Sequence, residues 1–193
     1  MNDNFRKQIE FIMEIDKVKN IFRHTKLFDG SRNENDAEHS WHLALMALTL
    51  SDYANEDIDI AKVVKMVLIH DLVEIDAGDY IIYTDKKAEK EEKEKEAAER
   101  IFGLLPDEQK EELKQLWVEF EKRESAEAKF AAALDRLEPL MQNYHNEGDT
   151  WCKYKIKYEQ IIKANEHIKE GSEKLWEYAK GMVEESREKG LLK

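Results

Sequence analysis

The 193-residue chain has one cysteine, Cys152, two prolines and seven glycines. A single thiol cannot close an intramolecular disulfide, which places the protein in a reducing compartment, the cytoplasm. Glycine and proline fall well below their usual combined share of about 12%. A sandwich or barrel needs turn residues at short, regular intervals, so an all-β fold is excluded. No apolar run approaches the ~18 residues of a membrane span, and Met1-Asn2-Asp3-Asn4 opens no signal peptide. Positive charge is also short, with 31 Lys and Arg against 43 Asp and Glu and a net charge of −12. Such a chain repels nucleic-acid backbones, and a small phosphorylated ligand would need arginine, lysine or metal gathered locally. The apolar share of 41% is too high for a disordered chain. The expectation is one helical, globular domain.

Asn4 to Lys19 carries Phe5, Ile9, Ile12, Met13, Ile15 and Val18 near helical spacing and reads as an amphipathic helix. Residues 21–35 are polar, broken at Gly30, and read as a loop holding Arg23, His24, Lys26 and Arg32. Asn35 and Glu38 form a capping-box signature opening a helix with His39, Trp41, His42, Leu43 and Met46, apolar around much of its girth. Asp57 or Asp59 starts the next helix, about 15 residues long, through Val73. Residues 76–85 read as a loop with a short extended piece. Lys86 to Arg100 reads as a solvated lysine–glutamate helix face with pairs such as Glu89–Lys93. Pro106 suits the first turn of a helix and Ser125 the cap of another. Two more helices follow, about 151–168 and 173–189, the last ending at Gly190. The total is about eight helices and no substantial sheet. The four tryptophans read as core or interface residues, and Lys153, Lys155 and Lys157 as a solvated helix edge.

The strongest chemical signal is His70-Asp71 inside the run Met66 to Val73. A histidine and an aspartate buried in an apolar helix must be paired, hydrogen-bonded or metal-bound. Taken alone, the histidine could be satisfied by a carbonyl and the aspartate by capping a neighbour. Matching anomalies weaken that reading: His39 sits early in an apolar helix, and Asp135 interrupts Ala131-Ala132-Ala133-Leu134. Two imidazoles and two carboxylates make a nitrogen-and-oxygen site for a divalent ion.

His39, His70-Asp71 and Asp135, in that order, resemble the H…HD…D signature of the HD-domain metal-dependent phosphohydrolases. Arg23, Glu38-His39-Ser40, His70 to Glu74, Asp79 and Leu134-Asp135-Arg136-Leu137 resemble its bacterial 5′-deoxynucleotidase branch, over roughly residues 5–165. The resemblance implies an all-α bundle spanning residues 1–193. Its signature region would cover about 23–140, with the ion between central helices and helices 150–189 packed on them. It implies His39, His70, Asp71 and Asp135 as ligands, with His42 as a rival read as supporting rather than ligating. No histidine lies between Leu72 and Leu134, which favours one metal per subunit over the two-metal members. The donor set fits Mn²⁺, Co²⁺, Fe²⁺, Ni²⁺ or Zn²⁺.

A divalent ion lowers the pKa of its water from about 15.7 towards ~7–9. Glu74, one turn from the ligand pair, would orient or deprotonate that water. Arg23 would neutralise phosphate oxygens, and Asp79 would bind the sugar hydroxyl or assist the leaving oxygen. One departure stands out: deoxynucleotidase relatives often carry tryptophan after the arginine, where this chain has His24. The implied activity is release of phosphate from deoxyribonucleoside 5′-monophosphates by a homodimer. The alternatives are another nucleotide or small phosphomonoester as substrate, a metal-dependent nucleotide sensor or scaffold, and a helical interaction module.

Overall fold

The computed structural model describes residues 3–80 and 87–192. The chain order is α1 (Asp3–Ile15), β1 (Phe22–Lys26), β2 (Asn33–Asn35), α2 (Asp36–Leu50), α3 (Ile60–Ile69), α4 (Glu74–Ala77), α5 (Lys87–Phe102), α6 (Asp107–Lys122), α7 (Ala126–His145), α8 (Asp149–Lys153), α9 (Tyr158–Asn165), α10 (Ile168–Gly171) and α11 (Glu173–Glu188). The all-α expectation is met, with one small antiparallel hairpin added. No helix among the described residues is long and apolar enough to cross a membrane.

The helix starts follow local chemistry. Asn35 accepts from Glu38 N at 3.0 Å while Asn35 N donates to Glu38 Oε2 at 3.3 Å, completing the expected capping box of α2. Asp59 caps α3 and Ser125 caps α7 through their side chains. Pro106 stands at the cap of α6, one position before its first turn.

Several expectations are corrected. The loop expected over 21–35 contains the β1–β2 hairpin, closed by Leu27 N donating to Arg32 O at 3.0 Å and by Gly30 at φ +71°. Its strands are short and polar, so no apolar alternation marks them. The helix expected to run from Asp59 through Val73 changes winding at His70. Residues His70–Val73 form a tighter 3₁₀ turn, followed by α4 and Gly78 at φ +78°. The helix expected over 151–168 is broken between α8 and α9, where Lys155 adopts φ +54°, and α9 ends at Asn165 before the short α10. The Lys153–Lys157 stretch is therefore not a helix edge: Ile156 is buried and Tyr154 turns inward against His24. On α1 only Phe11 is buried, and Phe5, Ile9, Ile12 and Met13 are exposed. Trp117 and Trp151 are core residues as expected, but Trp41 is exposed on the outer face of α2. On α5 the Glu89–Lys93 pair forms at 2.9 Å, while Glu94, paired with Lys90, is buried. Of the loop expected over 76–85, residues 81–85 lie outside the described ones, as does Lys86.

Two apolar clusters form the interior. One joins α2, α3, α7 and α11 through Leu43, Val63, Met66, Leu134, Leu137 and Val183; the other joins the 3₁₀ turn to α1, α5 and α6 through Leu72, Val73, Ile101, Phe102 and Trp117. His70 lies where the chain passes from one cluster to the other. Gly171 lets α10 approach the α7 backbone closely. A Cβ there would overlap the Lys129 carbonyl oxygen and lie 2.6 Å from its carbon. Gly171→Ala is expected to cost about 1–3 kcal/mol in urea unfolding. Gly181→Ala in α11, where a Cβ meets nothing within 4 Å, should be neutral or stabilising by up to ~1 kcal/mol.

Candidate metal centre

The winding change at His70 aims its ring. His70 Nδ1 donates to Val67 O at 2.9 Å, one turn back, which leaves Nε2 facing the interior. That atom is buried, 3.1 Å from Asp71 Oδ2 and 3.6 Å from Asp135 Oδ1, without a hydrogen bond to either. His39, fully buried on α2, places Nε2 3.1 Å from Asp135 Oδ1 and 3.9 Å from Asp71 Oδ2. Neighbouring donors around one ion held at about 2.0–2.1 Å stand roughly 3.0–3.4 Å apart. The four expected ligands, drawn from α2, the 3₁₀ turn and α7, are brought together, with two of these four distances inside that range and two a few tenths of an ångström beyond it. His39, His70 and Asp71 form one group of donors within mutual reach, and Asp36, Asp71 and Glu74 form another.

His42 does not join them. Its Nδ1 lies 3.1 Å from Glu138 Oε1, while Glu138 Oε2 lies 3.0 Å from His39 Nδ1. Gln142 donates to Glu138 Oε1 at 2.8 Å. With an ion on Nε2, this buried carboxylate would hold the His39 proton on Nδ1.

Sequence reasoning missed Glu138, Glu34 and Asp36. Glu138 lies three residues after Asp135 on the same face of α7, and that spacing was the available signal. Glu34 sits in the unforeseen hairpin, 3.5 Å from His39 Nδ1. Asp36 is fully buried with neither carboxylate oxygen hydrogen-bonded among the described residues. Pro139, four residues after Asp135, has no N–H to donate, so the Asp135 carbonyl lacks its usual helical partner.

Arg23, from β1, lies inside the cluster, and Arg136 Nε stands 3.6 Å from Asp135 Oδ2 at its edge. Arg23 Nη1 bonds Asp71 Oδ2 at 2.9 Å, and its guanidinium lies 3.8 Å from Asp36, 3.9 Å from Glu34 and 4.0 Å from Asp135. Glu74, buried on α4, has Oε2 without a hydrogen-bond partner among the described residues. Asp79 and His24 stand slightly apart, lining a cleft with Arg23, Arg136, Pro139, Leu140, Trp151 and Tyr154.

Electrostatics show a site short of positive charge. Burial and the charges of Asp71 and Asp79 push the Asp36 carboxyl up to about 7, against the pull of Arg23. Burial beside Asp71 and Asp36 holds Glu74 well above the usual carboxylate range. Burial opposes charging His70, but Asp71 and Asp135 outweigh it and push the imidazole up to about 9. Burial likewise opposes ionising Asp71, Asp135 and Glu138, yet the neighbouring cations hold all three below their ordinary values. The pocket gathers protons where a divalent ion would supply the same charge.

Glu138→Gln should weaken Mn²⁺ or Co²⁺ binding about 10–100-fold by calorimetry while leaving the helical circular dichroism intact. A pH dependence also follows for the chelated protein. Asp36 moves from 3.8 to about 7 on folding, and His70 from 6.5 to about 9. Both hold their protons more tightly when folded. The stability they contribute is complete below the unfolded values and is lost as pH rises through about 7 and then about 9. The depressed Asp71, Asp135 and Glu138 act in the opposite sense, but only below about pH 5. Thermal unfolding of the chelated protein should thus move to lower temperature between about pH 5 and 9. Added Mn²⁺ should raise the midpoint more at about pH 8 than at about pH 5.5, because ligands must shed protons to bind.

Comparison with known proteins agrees with this geometry. Residues 15–176 match the model of the HD domain family. A human protein, 5′-deoxynucleotidase HDDC2, is 34% identical over 141 residues, covering 71% of this chain and 67% of its own. The Dictyostelium discoideum 5′-deoxynucleotidase HDDC2 is 33% identical over 147 residues, covering 72% and 77%. The crystal structure of a predicted metal-dependent phosphohydrolase from Magnetospirillum magnetotacticum superposes with a TM-score of 0.94 at 49% identity, covering 98% of this chain and 96% of that one. With its ligand signature carried on three segments of a helical bundle, the chain belongs to the HD domain family.

Proposed function

We propose that this HD-domain protein is a metal-dependent phosphohydrolase of the 5′-deoxynucleotidase type, cleaving deoxyribonucleoside 5′-monophosphates to deoxynucleoside and phosphate. The observation that carries this reading is the convergence of His39, His70, Asp71 and Asp135, with Glu74 and Arg23 beside them and a cleft lined by Arg23, His24 and Asp79 next to it. The 5′-deoxynucleotidases to which the chain is similar supply the substrate class.

A divalent cation on these four ligands supplies an acidified water and a Lewis acid for the phosphoryl group. Glu74, whose environment raises its proton affinity, accepts the proton of the attacking water. Arg23 neutralises the non-bridging oxygens with a fork of fixed geometry. The new bond joins the water oxygen to phosphorus, and the bond that breaks is the ester to the sugar 5′ oxygen. Asp79, at the cleft wall, binds the sugar hydroxyl or assists that leaving oxygen. Glu138 does not meet the substrate; it keeps His39 oriented.

The test is phosphate release from each deoxynucleoside 5′-monophosphate beside its ribonucleotide, after stripping the protein and restoring Mn²⁺ or Co²⁺. Release from the deoxy series is expected. Asp71→Ala should abolish it, and Glu74→Gln should lower kcat by about 10²–10⁴ with metal still bound. No release from any monophosphate by metal-loaded protein would overturn the reading.

A further inference from the structure

The cleft beside the metal centre changes character along its length. Arg136, Leu140 and Asn143 recur at i, i+4 and i+7 on α7 and all line it, so helix rise carries this wall about 10 Å away from the residue after Asp135. β1 contributes Thr25, two residues and about 6–7 Å beyond Arg23 along the strand. Leu140 and Trp151, both almost fully buried, give the inner end an apolar and partly flat lining. Charge at the metal end and uncharged surface at the inner end suit a ligand with a phosphate on one side and an aromatic ring on the other.

Two polar groups lining the cleft lack partners. Thr25 is nine-tenths buried, and its Oγ1 makes no hydrogen bond among the described residues. Asn165, 2% exposed, donates from Nδ2 to Ile161 O at 2.8 Å, which leaves Oδ1 without a bond among the described residues. Asn143 shows the contrast. Thr150 N and Oγ1 donate to its Oδ1 at 3.0 and 2.6 Å, and its Nδ2 donates to Pro139 O at 2.8 Å, so both its polar atoms are engaged. Buried polar groups are ordinarily met by a partner, and two unmet ones in one cleft mark where the polar edge of a ligand falls. A hydroxyl can donate or accept, whereas a carboxamide oxygen only accepts.

We propose that the inner end of the cleft is a base pocket that selects amino-bearing bases, read by Thr25 and Asn165. Asn165 Oδ1 accepts from the exocyclic amine of cytosine or adenine, and the Thr25 hydroxyl donates to the ring nitrogen beside that amine. Uracil, thymine and guanine carry a carbonyl at the corresponding position and an N–H beside it. Their carbonyl oxygen would face the Asn165 oxygen with no proton between them, leaving both acceptors unmet. The proposal rests on the deoxynucleotidase reading and deepens it by naming a substrate class, the 5′-monophosphates of deoxycytidine and deoxyadenosine.

The experiment measures kcat/KM for dCMP and dUMP, which share sugar, phosphate and ring size and differ only at this edge. It uses the Mn²⁺-loaded wild type, Thr25→Val, Thr25→Ser and Asn165→Ala, with metal content and Tm followed throughout. Calorimetry of 2′-deoxycytidine and 2′-deoxyuridine on the metal-free proteins runs in parallel. The wild type should favour dCMP at least about tenfold. Thr25→Val should bring that ratio to within about threefold of unity, chiefly by slowing dCMP, with metal content unchanged. Thr25→Ser, which keeps the hydroxyl, should retain the preference, and Asn165→Ala should lose it. A threonine that serves only packing or a bound water would slow both substrates in parallel. A wild type that treats dCMP and dUMP alike overturns the base pocket, as does a ratio that Thr25→Val leaves within about twofold of wild type; either result leaves the phosphohydrolase standing. If the wild type cleaves neither, the proposed reaction fails and calorimetry decides the pocket alone. A preference for deoxycytidine that Thr25→Val erases supports it, and equal binding of the two nucleosides, or none, overturns it.

Discussion

Glu138 reaches two histidines of α2 from within α7, and the order of the site depends on that bond pair. A carboxylate sealed from water is tolerated only when its lone pairs are met. Here His39, His42 and Gln142 meet them. The same contacts bring α2 against α7 at the height where Asp135 projects and would keep the His39 proton on Nδ1 when an ion takes Nε2. One buried group thus sets a helix packing height, a ring orientation and a proton position together. Replacing it by an apolar residue would leave His39 free to invert its tautomer without disturbing the hydrophobic stripes that hold the helices.

Around that anchor the protein concentrates acids in a manner no apolar bundle would sustain without compensation. Glu34, Asp36, Asp71 and Asp135 lie within 4.0 Å of the Arg23 guanidinium, with Glu74 buried beside Asp36 and Asp71 and with Arg136 reaching only Asp135 among the described residues. The shortfall explains why the histidines hold their protons and why some carboxyls refuse to ionise. Among the described residues the cluster offers oxygen and imidazole donors and no thiolate. The acidity of the whole chain adds to this local demand.

The candidate ligands stood out because each is a polar intruder in an apolar run: His39, His70-Asp71 and Asp135 stand where a packed helix should have carried hydrocarbon. The fold class was legible from the same runs and from the capping signatures at Asn35, Asp59 and Ser125. Other parts were hidden for definite reasons. Glu138 precedes a proline and resembles a surface residue unless counted three positions from Asp135. Asp36 and Glu34 were masked by a helix-start signature that accounts for acidic residues without burying them. The hairpin bearing Arg23 and His24 has no apolar alternation, because its work is polar. The break at Lys155 left no trace, since lysine has no preference for left-handed backbone and only the surrounding packing imposes it there.

The chain crosses from one apolar cluster to the other at His70, so the centre is shared between two cooperative units. His39 and Asp135 ride on helices of the first, while the turn that carries His70 and Asp71 packs through Leu72 and Val73 into the second. Sub-global opening that detaches the second cluster would split the ligand set in half and leave each half intact. An ion held by all four would link the two apolar clusters, and its release would be coupled to any opening that separates them.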